Sequence, residues 1–321
     1  MSSDVSIPVS ILQALLQHLL QHNWSNASAA LLSNALSARC PRFGGLNHEG
    51  PYSTDAVAFM HHPKAGGTSY QLVLRQQAQR KNKTVCDVRR MIKNHKGKNF
   101  LEAEAAAVNG GRANFTQSCD VLIGHATYAL EAEALQWRGS RTGTYVTMFR
   151  SPAERAMSLF RYQGGNGHKY VNEVLKRNGS LQSEFEKALV EREDMTAAWL
   201  HAPPSIFRQR RDFMVMAGGS MTWEEVAQVM AYIAYRHSAV GVLERSAESM
   251  EVVRCRVPWF GAKQMPHSKA TAQTWPYPVE LKVDKALMAR HVAVEEVLYA
   301  WASLLLTIDL RCCRGDETNE Q

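Results

Sequence analysis

The sequence predicts an α/β fold with a doubly wound parallel sheet flanked by helices, and two observations carry this prediction. Short apolar runs typical of buried strands occupy residues 56–60, 120–124 and 144–149, with helical patterns between and after them. Strands that alternate with helices favour a parallel sheet. A glycine-rich turn separates the first strand from the helix that follows, as in half of a βαβ unit.

Each predicted helix has a recognisable start or a consistent apolar face. The helix after the glycine turn is expected from Thr68 to about Arg80. The strand at residues 144–149 precedes a capping-box pattern at residues 151–154, and that helix is expected to reach about Tyr162. A second capping box, at residues 222–225, opens another helix, and a short strand is expected at residues 239–243. The last long helix is expected at about 284–306.

These elements suggest one large domain at residues 51–310. Residues 1–50 are expected to be irregular apart from a short amphipathic helix at 7–20, and residues 311–321 to form a flexible tail. Residues 163–221 are expected to form loops and short helices. Since no stretch reaches the ~18 apolar residues that span a bilayer, no transmembrane segment is predicted.

Composition narrows the class of partner only slightly. The chain has 321 residues, and 37 Lys and Arg against 30 Asp and Glu give a net charge of +7. That excess suits an anionic partner without distinguishing nucleotide, sulfated glycan, nucleic acid or membrane. The six cysteines show no zinc-binding spacing and are too sparse for a disulfide scaffold, so they leave the compartment open.

Asparagine sequons point to a compartment. Five N-x-S/T sequons occur among 13 asparagines, more than chance would supply. They start at Asn23, Asn26, Asn82, Asn114 and Asn178. This excess indicates glycosylation in a secretory lumen.

The segment after the first strand, His-His-Pro-Lys-Ala-Gly-Gly-Thr-Ser at residues 61–69, has the composition of a phosphate-binding loop. Two glycines allow a tight turn with inward N–H groups, and the following helix adds its positive N-terminal dipole. The predicted phosphate ligands are Lys64, Ala65, Gly66, Gly67, Thr68 and Ser69. The alternative is an ordinary strand-to-helix turn.

The loop differs from a Walker A motif, because Lys64 precedes the glycines instead of following them. No Asp ends an apolar strand where it could bind Mg²⁺. This combination favours a donor whose leaving phosphate is neutralised by protein groups alone, so no metal is predicted.

A second phosphate site is predicted where the strand at 144–149 ends. Arg150 leaves the strand, and Ser158 follows two turns into the next helix, so both could reach one phosphate. The alternative is a helix-capping salt bridge from Arg150 or Arg155 to Glu154.

His125 follows the strand at 120–124, between the two phosphate motifs in the sequence. The carboxyl ends of parallel strands are where such sheets bind ligands, and a neutral imidazole can accept a proton near pH 7. His125 is therefore a candidate general base. The alternative is a structural histidine.

These motifs together resemble the Golgi carbohydrate sulfotransferases, most closely the heparan sulfate and uronyl 2-O-sulfotransferases. The segment at 62–69 is similar to their 5′-phosphosulfate loop, 149–158 to their 3′-phosphate segment, and Gly-His-Ala-Thr-Tyr at 124–128 to the segment of their proposed base. The resemblance implies a single P-loop-like sulfotransferase domain. Its donor would be 3′-phosphoadenosine-5′-phosphosulfate (PAPS), with Lys64 and His125 catalytic and Lys269 in a basic loop over the nucleotide.

The resemblance also implies a carbohydrate acceptor, an acidic glycan among the options, and a Golgi or other secretory location. Arg208, Arg210 and Arg211 could grip an acidic acceptor, or form a solvated charge run. Nucleic acid is not an expected partner. Three alternatives stay open: a cytoplasmic sulfotransferase acting on a small-molecule or lipid hydroxyl, a P-loop kinase, and a non-catalytic nucleotide- or glycan-binding module.

Overall fold

The structure is a computed structural model. It describes residues 24–39, 57–60, 65–87, 120–124, 144–166, 176, 179–191, 222–265, 281–282, 284, 286–287 and 293–314.

The centre of the fold is a five-stranded sheet in which every strand is parallel to its neighbours. The strands are β1 (Val57–Met60), β2 (Val85–Asp87), β3 (Val121–Gly124), β4 (Thr144–Phe149) and β5 (His237–Val242). Their spatial order is β2-β3-β1-β4-β5. The α/β prediction with a parallel sheet is therefore confirmed.

Helices flank this sheet along the described part of the chain. They are α1 (Asn26–Ser37), α2 (Gly67–Arg80), α3 (Pro152–Asn166), α4 (Leu181–Glu191), α5 (Trp223–Arg236), α6 (Ser246–Arg256) and α7 (Ala293–Arg314), with a 3₁₀ turn at Leu243–Arg245. None of these described helices combines the length and apolar character needed to cross a bilayer.

The core lies around β4 and β5, whose residues are buried along their whole length. Continuous burial is expected where helices cover a parallel strand on both faces. Trp301 of α7 is buried against this sheet region and donates its indole N–H to the Met230 carbonyl of α5 at 2.8 Å. The apolar core therefore joins the last helix to the middle of the chain.

Two parts of the chain are more ordered than the sequence predicted. Residues 26–37 form α1 within the segment expected to be irregular, with Leu32 and Ala35 buried against the core. Helix α7 continues to Arg314, into the stretch expected to be a flexible tail. Burial of an apolar helix face explains both corrections. The expected amphipathic helix at 7–20 lies outside the described residues.

All four cysteines in the described ranges are in disulfide bonds. Cys255 of α6 is bonded to Cys313 of α7 across 58 residues of sequence, and Cys86 and Cys312 are also bonded. These bonds are not predictable from the sequence, because the spacing of the cysteines does not reveal which cysteines the fold brings together.

Candidate active site

Three candidate motifs follow three neighbouring strands. Strand β1 pairs with β3 on one side and with β4 on the other. After β1 the chain continues to β2 and β3 on one side, whereas after β4 it continues to β5 on the other. The connections therefore diverge between β1 and β4, which is a topological switch point, where open α/β sheets bind ligands at the carboxyl ends of their strands.

The glycine turn lies at this point. Gly66 has φ 76° and ψ 4° and is the N-cap of α2. The first turn of α2 contains no acidic residue, so no side chain of that turn cancels the positive end of the helix dipole. The first N–H groups of a helix have no partner within the helix. Gly66 and the first turn of α2 thus have the features of an anion site.

A glycine is required at position 66 for two reasons. Its positive φ is one that L side chains rarely adopt, and a Cβ would lie 2.6 Å from Leu243 Cδ1. Leu243 begins the 3₁₀ turn that follows β5. The turn after β1 is therefore packed against the chain that leaves β5, across the end of β4.

Arg150 leaves β4 at the same edge of the sheet. Its Nη2 donates to Glu154 Oε2 at 3.1 Å, and about half of the Glu154 side chain is exposed. This is the helix-capping pair that the sequence offered as the alternative to phosphate binding. Exposed pairs of this kind contribute only about 0.3–0.5 kcal/mol, so the pair does not prevent Arg150 from binding an anion.

The start of α3 is held by residues that sequence reasoning did not identify. In a capping box, the Ser151 N–H would donate to the Glu154 side chain. Here it donates to Glu244 Oε1 at 3.0 Å. The other Glu244 oxygen accepts from the Tyr299 hydroxyl at 3.4 Å. Burial, and then the nearby Glu244 carboxylate, raises the pKa of Tyr299 to about 12. Tyr299 therefore stays protonated and able to donate at neutral pH.

Arg155 serves a different purpose from Arg150. Its guanidinium is paired with Glu295 of α7, and both side chains are largely buried. This pair fastens α3 to α7. Of the two arginines in the motif, Arg150 is therefore the better candidate for a ligand contact.

Ser158 is buried in α3, only 5% exposed. It is the seventh residue of the helix, about 10 Å along its axis from the start. Its contact with a phosphate stays a prediction. A contact would require the ligand to reach into the surface that now covers the serine.

Several predicted site residues lie outside the described ranges. Lys64 precedes Ala65, and His125 follows Gly124, the last residue of β3. Also outside are Lys269, Arg208, Arg210 and Arg211.

Leu243, which lies against Gly66, and Glu244, which accepts from the Ser151 N–H, were not predicted as site residues. The sequence places both residues at the end of the strand expected at 239–243, and a position at the carboxyl end of a parallel strand was the signal that could have pointed to them.

No protein-family model and no curated protein matches the chain.

Proposed function

We propose that this protein is a sulfotransferase that transfers a sulfuryl group from PAPS to a hydroxyl of a carbohydrate acceptor, within a single P-loop-like domain. One observation carries the proposal: the two phosphate-type motifs leave adjacent parallel strands at the switch point of the sheet. Gly66 follows β1 and Arg150 follows β4, so a helix N-terminus suited to an anion and a guanidinium lie at the same edge of the sheet.

In the proposed reaction, an acceptor hydroxyl oxygen attacks the sulfur while the bond from sulfur to the bridging phosphate oxygen breaks. His125 takes the hydroxyl proton, and 3′-phosphoadenosine-5′-phosphate leaves. Lys64 and the α2 N-terminus stabilise the negative charge that grows on the leaving phosphate. Arg150 and Ser158, with Lys269, hold the nucleotide.

A lumenal compartment, such as the Golgi, is part of the proposal. Disulfides persist in oxidising compartments and are rare in the cytosol. The Cys255–Cys313 bond and the bonded Cys86 and Cys312 therefore support a secretory location, together with the sequon excess. A glycan acceptor agrees with that location better than a cytoplasmic small molecule does.

Calorimetry tests donor binding first. We expect 3′-phosphoadenosine-5′-phosphate to bind the full chain in EDTA, because the proposed site uses cationic side chains and backbone N–H groups instead of a metal. ATP should bind more weakly, since it lacks the 3′-phosphate proposed for Arg150. If binding needs Mg²⁺, or if ATP binds as tightly, the kinase alternative replaces this proposal.

The acceptor is tested separately. Transfer of labelled sulfate from PAPS would be measured across neutral glycans, acidic glycans and small alcohols. Label on glycans supports the proposal, whereas label only on small alcohols favours the small-molecule alternative. Nucleotide binding without transfer to any acceptor would favour a non-catalytic module.

A further inference from the structure

Asn82 lies in the turn between α2 and β2, within the sequon Asn82-Lys83-Thr84. The side chain of Asn82 is exposed, and the residue has a φ of 52°, a left-handed conformation that asparagine tolerates better than most residues. Its backbone N–H donates to the Gln79 carbonyl at 3.1 Å. The turn is therefore fixed by main-chain bonds, and the amide side chain makes no hydrogen bond to any residue of the described ranges.

Thr84, the third residue of the sequon, is also exposed. Its N–H donates to Asp120 Oδ2 at 2.8 Å, and its carbonyl accepts from the N–H groups of Asp120 and Val121. These bonds fix the main chain of Thr84 beside β3. The side chains of both sequon residues thus lie at the surface of a well-held turn.

The turn also lies away from the candidate active site. Helix α2 starts at the glycine turn and has 14 residues, so its far end lies about 20 Å from the candidate active site. Because α2 connects two parallel strands, that far end is at the amino-terminal edge of the sheet. Strand β2 is a terminal strand of the described sheet, and a bulky hydrophilic group beside it would discourage pairing with another chain.

We propose that Asn82 carries an N-linked glycan. In the transfer step, Asn82 Nδ2 forms a bond to C1 of an oligosaccharide carried on a lipid diphosphate. The bond from C1 to the diphosphate oxygen breaks, the lipid diphosphate leaves, and one Nδ2 proton passes to a base. The disulfides of the described ranges support passage through the oxidising compartment where such donors are used. The proposal does not depend on sulfuryl transfer.

Asn26 provides an internal comparison. It is also exposed and starts α1, but the third residue of its sequon, Ser28, is buried. The Ser28 hydroxyl oxygen accepts a hydrogen bond from the Ser25 hydroxyl. The proposal therefore concerns Asn82, and an Asn26→Gln variant is a matched control.

The test is peptide mass spectrometry after enzymatic deglycosylation in heavy-oxygen water, which converts a glycosylated asparagine into labelled aspartate. It is applied to the full chain from its own cells, and to the full chain and variants secreted behind an added leader. We expect label at position 82 in both wild-type samples, in Asn26→Gln and in Thr84→Ser, which keeps the sequon. Asn82→Gln and Thr84→Ala should lose it.

An unlabelled Asn82 in either wild-type sample overturns the proposal. So does retention of the label in Thr84→Ala, because it would show a modification independent of the sequon. Sulfate transfer by Asn82→Gln should equal that of the wild type, since the turn lies far from the candidate site. If the wild-type protein transfers no sulfate, the proposed function fails, but the proposal that Asn82 is glycosylated still stands.

Discussion

At Arg150, the structure shows an ion pair with Glu154 where the proposed function requires a phosphate contact. The two are compatible because an arginine has five N–H donors and an exposed pair is weak. The ion pair therefore holds Arg150 near the end of β4 and can exchange for a doubly charged phosphate.

Three substitutions distinguish the roles of the proposed site residues. His125→Ala should leave donor affinity nearly unchanged while turnover falls by about 10²-fold or more, because only the proton acceptor is lost. Arg150→Ala should weaken donor binding by about 1.5–3 kcal/mol, the value of a charged hydrogen bond. Lys64→Ala should reduce both. Calorimetry with the product nucleotide and initial rates of sulfate transfer measure these effects.

Glu154→Gln is the matched control for Arg150→Ala, because it breaks the same ion pair and keeps the guanidinium. Donor affinity should stay constant or rise by no more than about fivefold, since the lost pair is worth less than ~1 kcal/mol. If Glu154→Gln weakens binding as much as Arg150→Ala, the ion pair itself is what matters and Arg150 is not a phosphate ligand.

Near-native turnover by folded His125→Ala protein would show that His125 is not the general base.

Gly66 provides a prediction about the turn itself. Gly66→Ala should destabilise the protein by about 1–2 kcal/mol, because a left-handed conformation is unfavourable for alanine, and should weaken nucleotide binding. The Leu243 Cδ1 atom is the end of a flexible side chain and can move aside. The loss in unfolding free energy caused by Gly66→Ala, measured in urea, should therefore be nearly as large when residue 243 is alanine as when it is leucine. Full recovery there would show that the clash, not the φ angle, is the cause.

At the scale of elements, local patterns determined how well the sequence predicted each one. Strand β4 occupies the predicted residues 144–149, and α5 starts with the predicted capping box, in which Thr222 and Glu225 exchange hydrogen bonds. Both signals are contained within a few neighbouring residues. The glycine turn between β1 and α2 was predictable for the same reason.

Elements that depend on distant contacts were missed or were given an end that is too early. Strand β2 has three residues and was not predicted, because its identity as a strand comes from pairing with β3. The last helix was expected to end at about residue 306 and continues to Arg314. Its final residues are fixed by Cys313, which is bonded to Cys255, and by Arg314, which is paired with Glu251. None of these partners is visible in a local pattern.

The Cys255–Cys313 bond should make a large contribution to the stability of the α6–α7 pair. Replacing both cysteines by alanine should lower the free energy of unfolding by about 2–4 kcal/mol, because the bond closes a long loop in the unfolded chain. Urea unfolding monitored by circular dichroism measures the change. A reductant should destabilise the double variant further, since Cys86 and Cys312 are also bonded. An unchanged urea midpoint in the double variant would show that the stability of the α6–α7 pair does not depend on this disulfide.

At the scale of the whole molecule, a buried charge cluster joins the two ends of the described chain. Arg39 follows α1 and makes two hydrogen bonds to Asp309 of α7, at 2.8 and 2.6 Å, and a third to the Ala234 carbonyl of α5 at 2.7 Å. Both charged side chains are fully buried. The segment around residue 39 is thus part of the folded domain.

A second arginine, Arg256, also belongs to this cluster. Its Nη2 lies 3.7 Å from Asp309 Oδ1, so one buried carboxylate faces two arginines. Burial lowers the pKa of Arg256, and the Asp309 carboxylate opposes that effect. Removing the Asp309 carboxylate leaves Arg39 and Arg256 without their shared anion. Removing Arg39 leaves Arg256 paired with Asp309.

The two substitutions should therefore differ in cost. Asp309→Asn should destabilise the protein by about 3–5 kcal/mol, the cost of leaving buried charges uncompensated. Arg39→Met should cost less, about 2–3 kcal/mol, because the remaining pair is neutral overall and the loss is mainly that of charged hydrogen bonds. Urea unfolding of both variants measures the order, and Arg80→Met, which changes an exposed arginine at the end of α2, is the matched control. If Arg39→Met is as damaging as Asp309→Asn, Arg256 does not compensate Asp309, and the cluster acts as a single pair between Arg39 and α7.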